Sequence, residues 1–322
     1  MFNDKQQIVF MFSGQGSHYR GMGRKLFENN EVFKRSLKES DELVRKMLNR
    51  SLLSELYDNS ESSFSDILIT HPAIVAVELA LFEVLKEIGI TPDYVTGNSL
   101  GEYSAAVVAG VLCKETAIEL AIEQAKSIVN SVEHGGMLVI LNTPKKELEF
   151  LYKEHGLFLA ADNFEHNYTL SGALANLNNF ENELKTRKIS FQRLDVAFPF
   201  HSPIIERGKN QFLYYLLSFT SESNKPSVPF ISGFKSKELD VIPEDYFWKV
   251  VSEYANFSEM VNYMENNGNY LYVDLGPSGA SGTCVKYNLN PTSTSETIQI
   301  MTPFMQELNQ LEKLKNLFEV NR

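Results

Sequence analysis

Cysteine is scarce in this sequence, and its two copies show no sign of pairing. Cys113 and Cys284 lie far apart in the 322 residues, each beside apolar or small neighbours. A disulfide framework or a zinc site needs cysteines or histidines at closer, repeated spacings, which do not occur here. We therefore expect two buried free thiols, no metal and no bound cofactor.

Positive charge is also in short supply. The chain has 30 lysines and arginines against 41 aspartates and glutamates, a formal net charge of −11 at pH 7. A nucleic-acid backbone normally requires a basic face, so we expect no nucleic-acid partner. Lys185, Arg187 and Lys188 form a local basic segment that could meet an acidic partner, although a solvated helix end is the simpler interpretation.

Long apolar runs are missing as well. None approaches the roughly eighteen residues that cross a bilayer, and Met1 to Gln7 lacks the basic and apolar regions of a signal peptide. We therefore expect a cytoplasmic monomer with no membrane partner. The hydrophobic content of 43% suits a large domain with a smaller inserted one.

The most informative motif that the sequence contains is Gly97-Asn98-Ser99-Leu100-Gly101. It follows the apolar pair Tyr94-Val95 and precedes a helix predicted over Glu102 to Ala109. A serine on a sharp turn between strand and helix is typical of a nucleophile elbow, which exposes the hydroxyl and directs helical N–H groups at the reacting carbonyl. The flanking glycines are expected to allow that turn.

A nucleophilic serine needs a base, and His201 is the best candidate among the histidines. It lies in Phe198-Pro199-Phe200-His201-Ser202-Pro203, where two prolines bound an apolar segment that would hold an imidazole in place. A buried structural histidine bonded to a backbone carbonyl is the alternative. The other histidines are His18, His71, His134, His155 and His166.

The N-terminal region supplies a third signal. Ile8 to Phe12 is predicted to form a buried strand that runs into the loop Ser13-Gly14-Gln15-Gly16-Ser17. Its glycines do not match a dinucleotide fingerprint, and no lysine completes a phosphate-binding loop. Nucleotide binding is therefore not expected.

Together, these motifs resemble the malonyl-CoA:acyl-carrier-protein transacylase family over nearly the whole chain. Further matches are Gly21-Met22-Gly23, His71-Pro72-Ala73, Asn163 with Ser171-Gly172, and Asp274-Leu275-Gly276-Pro277. The resemblance implies an α/β fold: a large α/β-hydrolase-like domain with a parallel sheet, residues 1–134 and 199–322, and an inserted ferredoxin-like subdomain, residues 135–198.

The residues themselves also predict that subdomain. From residue 136 the pattern alternates as strand (137–141), helix (145–155), strand (157–161), strand (168–171), helix (174–185) and strand (190–194). This βαββαβ order is that of a ferredoxin-like unit. The site is therefore expected in the cleft between the two parts.

The resemblance also implies a site and a mechanism. Ser99 would take an acyl group from a phosphopantetheine thioester on a carrier protein or coenzyme A, with His201 as base and then acid. The amides of Gln15 and Leu100 would form the oxyanion hole. Asn163 would support the site through a polar contact, and a backbone carbonyl rather than a carboxylate would orient His201.

Three departures from the family bear on the substrate. Members that take malonyl units carry an arginine on the helix after the elbow, where this chain has Gln124, and the segment 111–130 contains no arginine. Asn98 replaces the usual histidine before the serine. Phe198 replaces a histidine common in malonyl-selective members, and we expect it and Phe200 to lie at the substrate pocket.

Loss of the arginine with retention of serine and histidine resembles the discrete homologues of trans-acyltransferase polyketide synthases, which act as acyl hydrolases on carrier proteins. The leading interpretation is therefore a proofreading acyl-thioester hydrolase. The first alternative is an acyl-carrier-protein acyltransferase for uncharged acyl groups, and the second is an inactive docking homologue. A generic α/β-hydrolase is less suitable because a long segment follows His201.

Overall fold

The computed structural model describes residues 6–58, 64–217 and 224–320. Within these ranges the strands are β1 (Gln7–Phe12), β2 (Tyr94–Gly97), β3 (Gly135–Leu141), β4 (Phe158–Phe164), β5 (Asn167–Ala173), β6 (Phe191–Arg193), β7 (Phe230–Ser232), β8 (Lys237–Glu238), β9 (Ala255–Asn256), β10 (Tyr270–Asp274) and β11 (Glu296–Gln299).

Helices surround these strands, and a 3₁₀ helix covers Pro203–Gly208. Within the same ranges the α-helices are α1 (Arg24–Asn29), α2 (Glu31–Leu48), α3 (Leu52–Tyr57), α4 (Ile67–Glu87), α5 (Gly101–Val108), α6 (Lys114–Ser131), α7 (Lys145–Glu154), α8 (Leu174–Arg187), α9 (Lys209–Leu216), α10 (Tyr246–Ser252), α11 (Phe257–Glu265), α12 (Ala280–Asn288) and α13 (Glu307–Val320).

The larger sheet has the strand order β11-β10-β1-β2-β7-β8. All pairs except the β7–β8 hairpin are parallel. Parallel strands are covered by helices on both faces, which explains why the inner part of β1, Val9 to Phe12, is apolar and buried at every position. The carboxyl ends of β1 and β2 lie side by side, with Phe12 opposite Gly97.

The smaller sheet has the order β6-β3-β5-β4-β9. Its first four strands pair antiparallel, and α7 and α8 connect them in the βαββαβ order that the sequence predicts. The predicted fold class is confirmed. One addition was not predicted: β9, which comes from the region after this unit, pairs parallel with β4 at Ala161 and Asp162.

Helix α4 corrects one sequence-based expectation. It begins at Ile67, capped by the Asp66 side chain, and Pro72 lies inside it. Its length and mean hydropathy would also be sufficient for a membrane span, contrary to the expectation that no segment would be. Because 83% of its most apolar stretch is buried against the rest of the protein, the helix has the character of a core helix.

Two further expectations concern the surface. Both cysteines are free, but Cys113 is exposed at the start of α6 and Cys284 is half-buried, so the prediction that both are buried is wrong. The apolar neighbours of Cys113 pack inward while the thiol caps the helix by accepting from Thr116 N–H. The basic segment lies exposed at the end of α8, where Arg187 pairs with Glu183 at 2.7 Å.

Glu102, three residues after Ser99, is fully buried in the first turn of α5. Its carboxyl accepts a hydrogen bond from Gly233 N–H at 2.9 Å and another from the Tyr246 hydroxyl. Burial raises the pKa of Glu102 from 4.5 to about 8, and these hydrogen bonds oppose the shift. A raised pKa in the folded state means that folding stabilises the protonated carboxyl.

We therefore predict that Glu102→Gln reduces the loss of stability as the pH rises from 4.5 to about 8. The contribution of Glu102 is fully present below pH 4.5 and is lost as the pH rises through 8. Between these values, the free energy of unfolding of the native protein should fall relative to the variant by up to about 1.4 kcal/mol per pH unit. Denaturant unfolding from pH 5 to 9 measures this difference.

Glu31→Gln serves as the control, because that side chain is 86% exposed and should leave the pH dependence unchanged. Parallel stability curves for native protein and Glu102→Gln would contradict the prediction.

Candidate active site

Ser99 lies at the turn between β2 and α5 with φ of 54°, a left-handed conformation that is uncommon for a residue with a side chain. The glycines beside it allow the turn, as expected, by lacking a Cβ rather than by adopting a positive φ. A Cβ on Gly97 would lie 2.3 Å from Glu102 N, and one on Gly101 would lie 2.2 Å from Phe12 O. They allow close approach of neighbouring backbone, while Ser99 itself adopts the positive φ.

His201 lies beside this serine. Its Nε2 is 2.9 Å from Ser99 Oγ, and its Nδ1 is 2.6 Å from the Glu253 carbonyl oxygen. Since a carbonyl can only accept, Nδ1 must carry the hydrogen, which leaves Nε2 free to accept the serine proton. His201 also has a positive φ, 57°, and its amide donates to Val251 O at 2.9 Å. Backbone contacts therefore hold the imidazole in position.

Burial also determines the charge of this imidazole. His201 is 6% exposed, and burial lowers its pKa from 6.5 to about 4, while the hydrogen bond to the Glu253 carbonyl opposes the shift. The ring is therefore neutral at pH 7. A neutral imidazole aligned with a serine hydroxyl is the arrangement that general-base catalysis requires.

The loop after β1 packs directly against the elbow. A Cβ on Gly14 would lie 2.6 Å from Asn98 O and 2.9 Å from Ser99 Cβ, so only glycine fits there without movement. In the part of the chain that the structure describes, the amides of Gln15 and Leu100 donate to no protein acceptor. Two unengaged N–H groups beside a nucleophile are what an oxyanion hole requires.

Gln124 lies on α6 and is fully buried. Its amide nitrogen donates to the Phe247 carbonyl at 2.6 Å, and the Tyr103 hydroxyl donates to the same oxygen at 3.2 Å. The protein thus holds this side chain in place. Lys126, the nearest cation along the helix, pairs instead with Glu123 at 2.7 Å.

The structure gives the remaining predicted residues different surroundings. Phe200 is buried with its ring centroid 5.6 Å from that of His71, and Phe198 packs edge-on against His134 at 5.2 Å. Asn163 lies on β4, where its side chain donates to Asn167 Oδ1 at 2.9 Å rather than to Ser99 or His201.

Asn98 contributes to the elbow through its backbone. It donates to Phe12 O at 2.8 Å and accepts from Gly101 N–H at 3.0 Å. A contact of Asn98, Phe198, Phe200, Asn163 or Gln124 with substrate stays a prediction.

Sequence reasoning missed several groups that shape this site. The Glu253 carbonyl leaves no sequence signal, because every residue has one. His71, noted in the sequence only within a matching motif, is fully buried, and burial lowers its pKa to about 3. Glu78 was detectable as an isolated charge in an apolar helix; its carboxyl accepts from Ser13 N–H.

Comparison with known proteins identifies the family. A family model described as acyl transferase domain matches residues 9–298. The chain is 36% identical over 318 residues to the polyketide biosynthesis acyltransferase homolog PksD of Bacillus subtilis, covering 96% of each protein. It is 34% identical over 320 residues to the homolog BaeD of Bacillus velezensis, covering 97% of this chain and 96% of that protein.

Solved structures show the same fold. The acyltransferase domain from the second module of the salinomycin polyketide synthase matches with a TM-score of 0.83 at 26% identity, covering 96% of this chain and 72% of that one. MCAT from Streptococcus pneumoniae matches with a TM-score of 0.78 at 23% identity, covering 96% of this chain and 99% of that one. With a family model spanning most of its length and two relatives above 30% identity, the chain belongs to the acyl transferase domain family.

Proposed function

We propose that this protein is a serine enzyme that hydrolyses acyl thioesters carried on the phosphopantetheine of acyl carrier proteins in polyketide biosynthesis, a proofreading role. The observation that carries the proposed substrate class is Gln124, a neutral side chain that donates to a backbone carbonyl and that occupies, by position in the sequence, the place of a carboxylate-binding arginine. The serine and histidine arrangement is retained, with His201 Nε2 2.9 Å from Ser99 Oγ. Water as the acceptor follows from the resemblance to the discrete acyl hydrolases.

The first half-reaction forms an acyl-enzyme. Ser99 Oγ attacks the thioester carbonyl while His201 Nε2 takes the hydroxyl proton. The carbonyl oxygen becomes negatively charged and accepts hydrogen bonds from the Gln15 and Leu100 amides. The carbon–sulfur bond then breaks, and the imidazolium returns its proton to the departing phosphopantetheine thiolate. The acyl group is left as an ester on Ser99.

The second half-reaction repeats these steps with water. His201 Nε2 removes a proton from the water, whose oxygen attacks the Ser99 ester through the same oxyanion hole. Collapse breaks the bond to Ser99 Oγ, which receives the proton from His201. The products are the free acid and the regenerated serine, so no metal or bound cofactor is needed.

The charge of the site supports uncharged acyl groups as substrates. A carboxylate moved into a buried site without a partner costs several kcal/mol. Gln124 supplies no charge, Lys126 is paired with Glu123, and both His201 and His71 are neutral at pH 7. Acetyl and longer uncharged chains are therefore preferred over malonyl.

An acyltransferase for the same uncharged acyl groups is the second candidate. It would use the same residues and differ only in the acceptor, a second phosphopantetheine thiol in place of water. The names of PksD and BaeD, acyltransferase homologs, favour this reading.

A carrier-protein assay distinguishes the two candidates. We predict that a carrier loaded with acetyl or a medium-chain acyl group releases free acid with the native enzyme and not with Ser99→Ala, because the acyl-enzyme cannot form. Mass spectrometry of the carrier, with and without a second empty carrier, measures both release of the acyl group as free acid and its transfer to the second carrier. Acyl transfer to the second carrier with little free acid would establish the transferase instead.

The pH profile tests the role of His201. We predict that kcat/KM for acyl-enzyme formation stays high at acidic pH and falls only near pH 4, because His201 must be neutral to act as a base. Initial rates from pH 4 to 8 measure this limb, with circular dichroism to verify folding at each pH. A decline in kcat/KM centred near pH 6.5 would show that the His201 imidazole is not desolvated during catalysis.

Acyl selectivity tests the role of Gln124. We predict that Gln124→Arg increases malonyl loading on Ser99 at least about tenfold relative to acetyl loading, because the guanidinium pairs with the malonyl carboxylate. Intact-protein mass spectrometry measures both adducts. Gln124→Met is the neutral control and should leave malonyl loading low; a native protein that loads malonyl rapidly would contradict the assignment.

A further inference from the structure

Glu78 is a buried carboxyl that the proposed chemistry does not use. It lies near the middle of α4 and is fully buried. One carboxyl oxygen accepts from Ser13 N–H at 2.6 Å, and the other accepts from the Ser104 hydroxyl at 2.7 Å. Both contacts are themselves buried, so neither competes with solvent.

The two partners belong to the two segments that carry the oxyanion amides. Ser13 is two residues before Gln15 in the loop after β1, and Ser104 is on α5, whose first turn follows Leu100. A single rigid core side chain therefore connects both segments. We propose that Glu78 is a positioning residue that sets the separation of the Gln15 and Leu100 amides and thereby the strength of the oxyanion hole.

The Ser13 side chain is also closely surrounded by other residues. Its hydroxyl is 3.2 Å from the Ser281 hydroxyl, and a Cβ on Gly276 would lie 1.8 Å from Ser13 Oγ. Burial raises the pKa of Glu78 well above 4.5, with Asp274 adding to the shift and the bonds from Ser104 and Ser13 opposing it. A carboxamide has nearly the same shape as a carboxyl, and its oxygen accepts a hydrogen bond as a carboxyl oxygen does.

Three variants test the proposal through the rate of acyl-enzyme formation. The proposal rests on the proposed function, but this test does not require hydrolysis. Glu78→Met keeps the volume and removes both acceptors. Glu78→Gln keeps an acceptor for Ser13 N–H and an N–H group for the Ser104 hydroxyl, which can also accept. Asp41→Leu is the control, because it removes a buried carboxyl on α2, away from the site. That carboxyl likewise accepts one hydrogen bond from a backbone N–H, that of Leu53, and one from a serine hydroxyl, that of Ser51.

Rapid-quench mass spectrometry with S-acetylpantetheine gives the rate of Ser99 acetylation at saturation and the KM. We expect Glu78→Met to lower the maximal rate roughly 10- to 100-fold with little change in KM, as misplaced oxyanion donors do. Glu78→Gln should remain within about threefold of the native rate. The acid limb assigned to His201 should be the same in all variants, since the base is unaltered.

The proposal would be overturned if Glu78→Met acetylated Ser99 at the native rate. It would also be overturned if Glu78→Gln or Asp41→Leu slowed acetylation as much as Glu78→Met does. If Glu78→Met does not fold, Ser104→Ala removes one of the two contacts and should slow loading severalfold; an unchanged rate would also overturn it. Absence of acetyl-Ser99 in the native enzyme would instead refute the proposed function, so the two failures are distinguishable.

Discussion

The parallel pairing of β1 with β2 is the interaction on which the rest of the site depends. It places Phe12 opposite Gly97, so that the loop after β1 and the elbow after β2 leave the sheet at the same edge. The chain segments that follow are in close contact: Gly101 approaches Phe12 O and Gly14 approaches Asn98 O. Side chains larger than hydrogen at these glycines would separate the two amides proposed to form the oxyanion hole.

The orientation of His201 depends on both sheets. Ser99 follows β2 of the larger sheet, whereas His201 follows β6, the last strand of the βαββαβ unit. The carbonyl that orients the imidazole belongs to Glu253, which lies between α10 and β9, and β9 pairs with β4 of the smaller sheet. A displacement of one sheet relative to the other would therefore change the distance between base and nucleophile.

Charge is distributed unevenly in this protein. The formal net charge is −11, yet the buried ionisable groups near the site are shifted toward their neutral forms. Burial raises the pKa of Glu102 to about 8 and of Asp274 to about 7, and it lowers the pKa of His201 to about 4. Each buried carboxyl accepts backbone N–H bonds, which offset part of the desolvation cost. This distribution of charge supports the proposal that uncharged acyl groups are the substrates.

The amino-acid sequence by itself determined the βαββαβ unit and the candidacy of Ser99 and His201, because local periodicity and turn motifs depend on neighbouring residues. The fold class followed from the resemblance of its motifs to a known family. Other features depend on contacts between residues remote in sequence. The carbonyl of Glu253, the link through Glu78 and the engagement of Gln124 with Phe247 join segments far apart in the chain. Only the tertiary structure decided these contacts. The sequence contains many backbone carbonyls and polar side chains that could form them, and packing determines which ones come within hydrogen-bond distance.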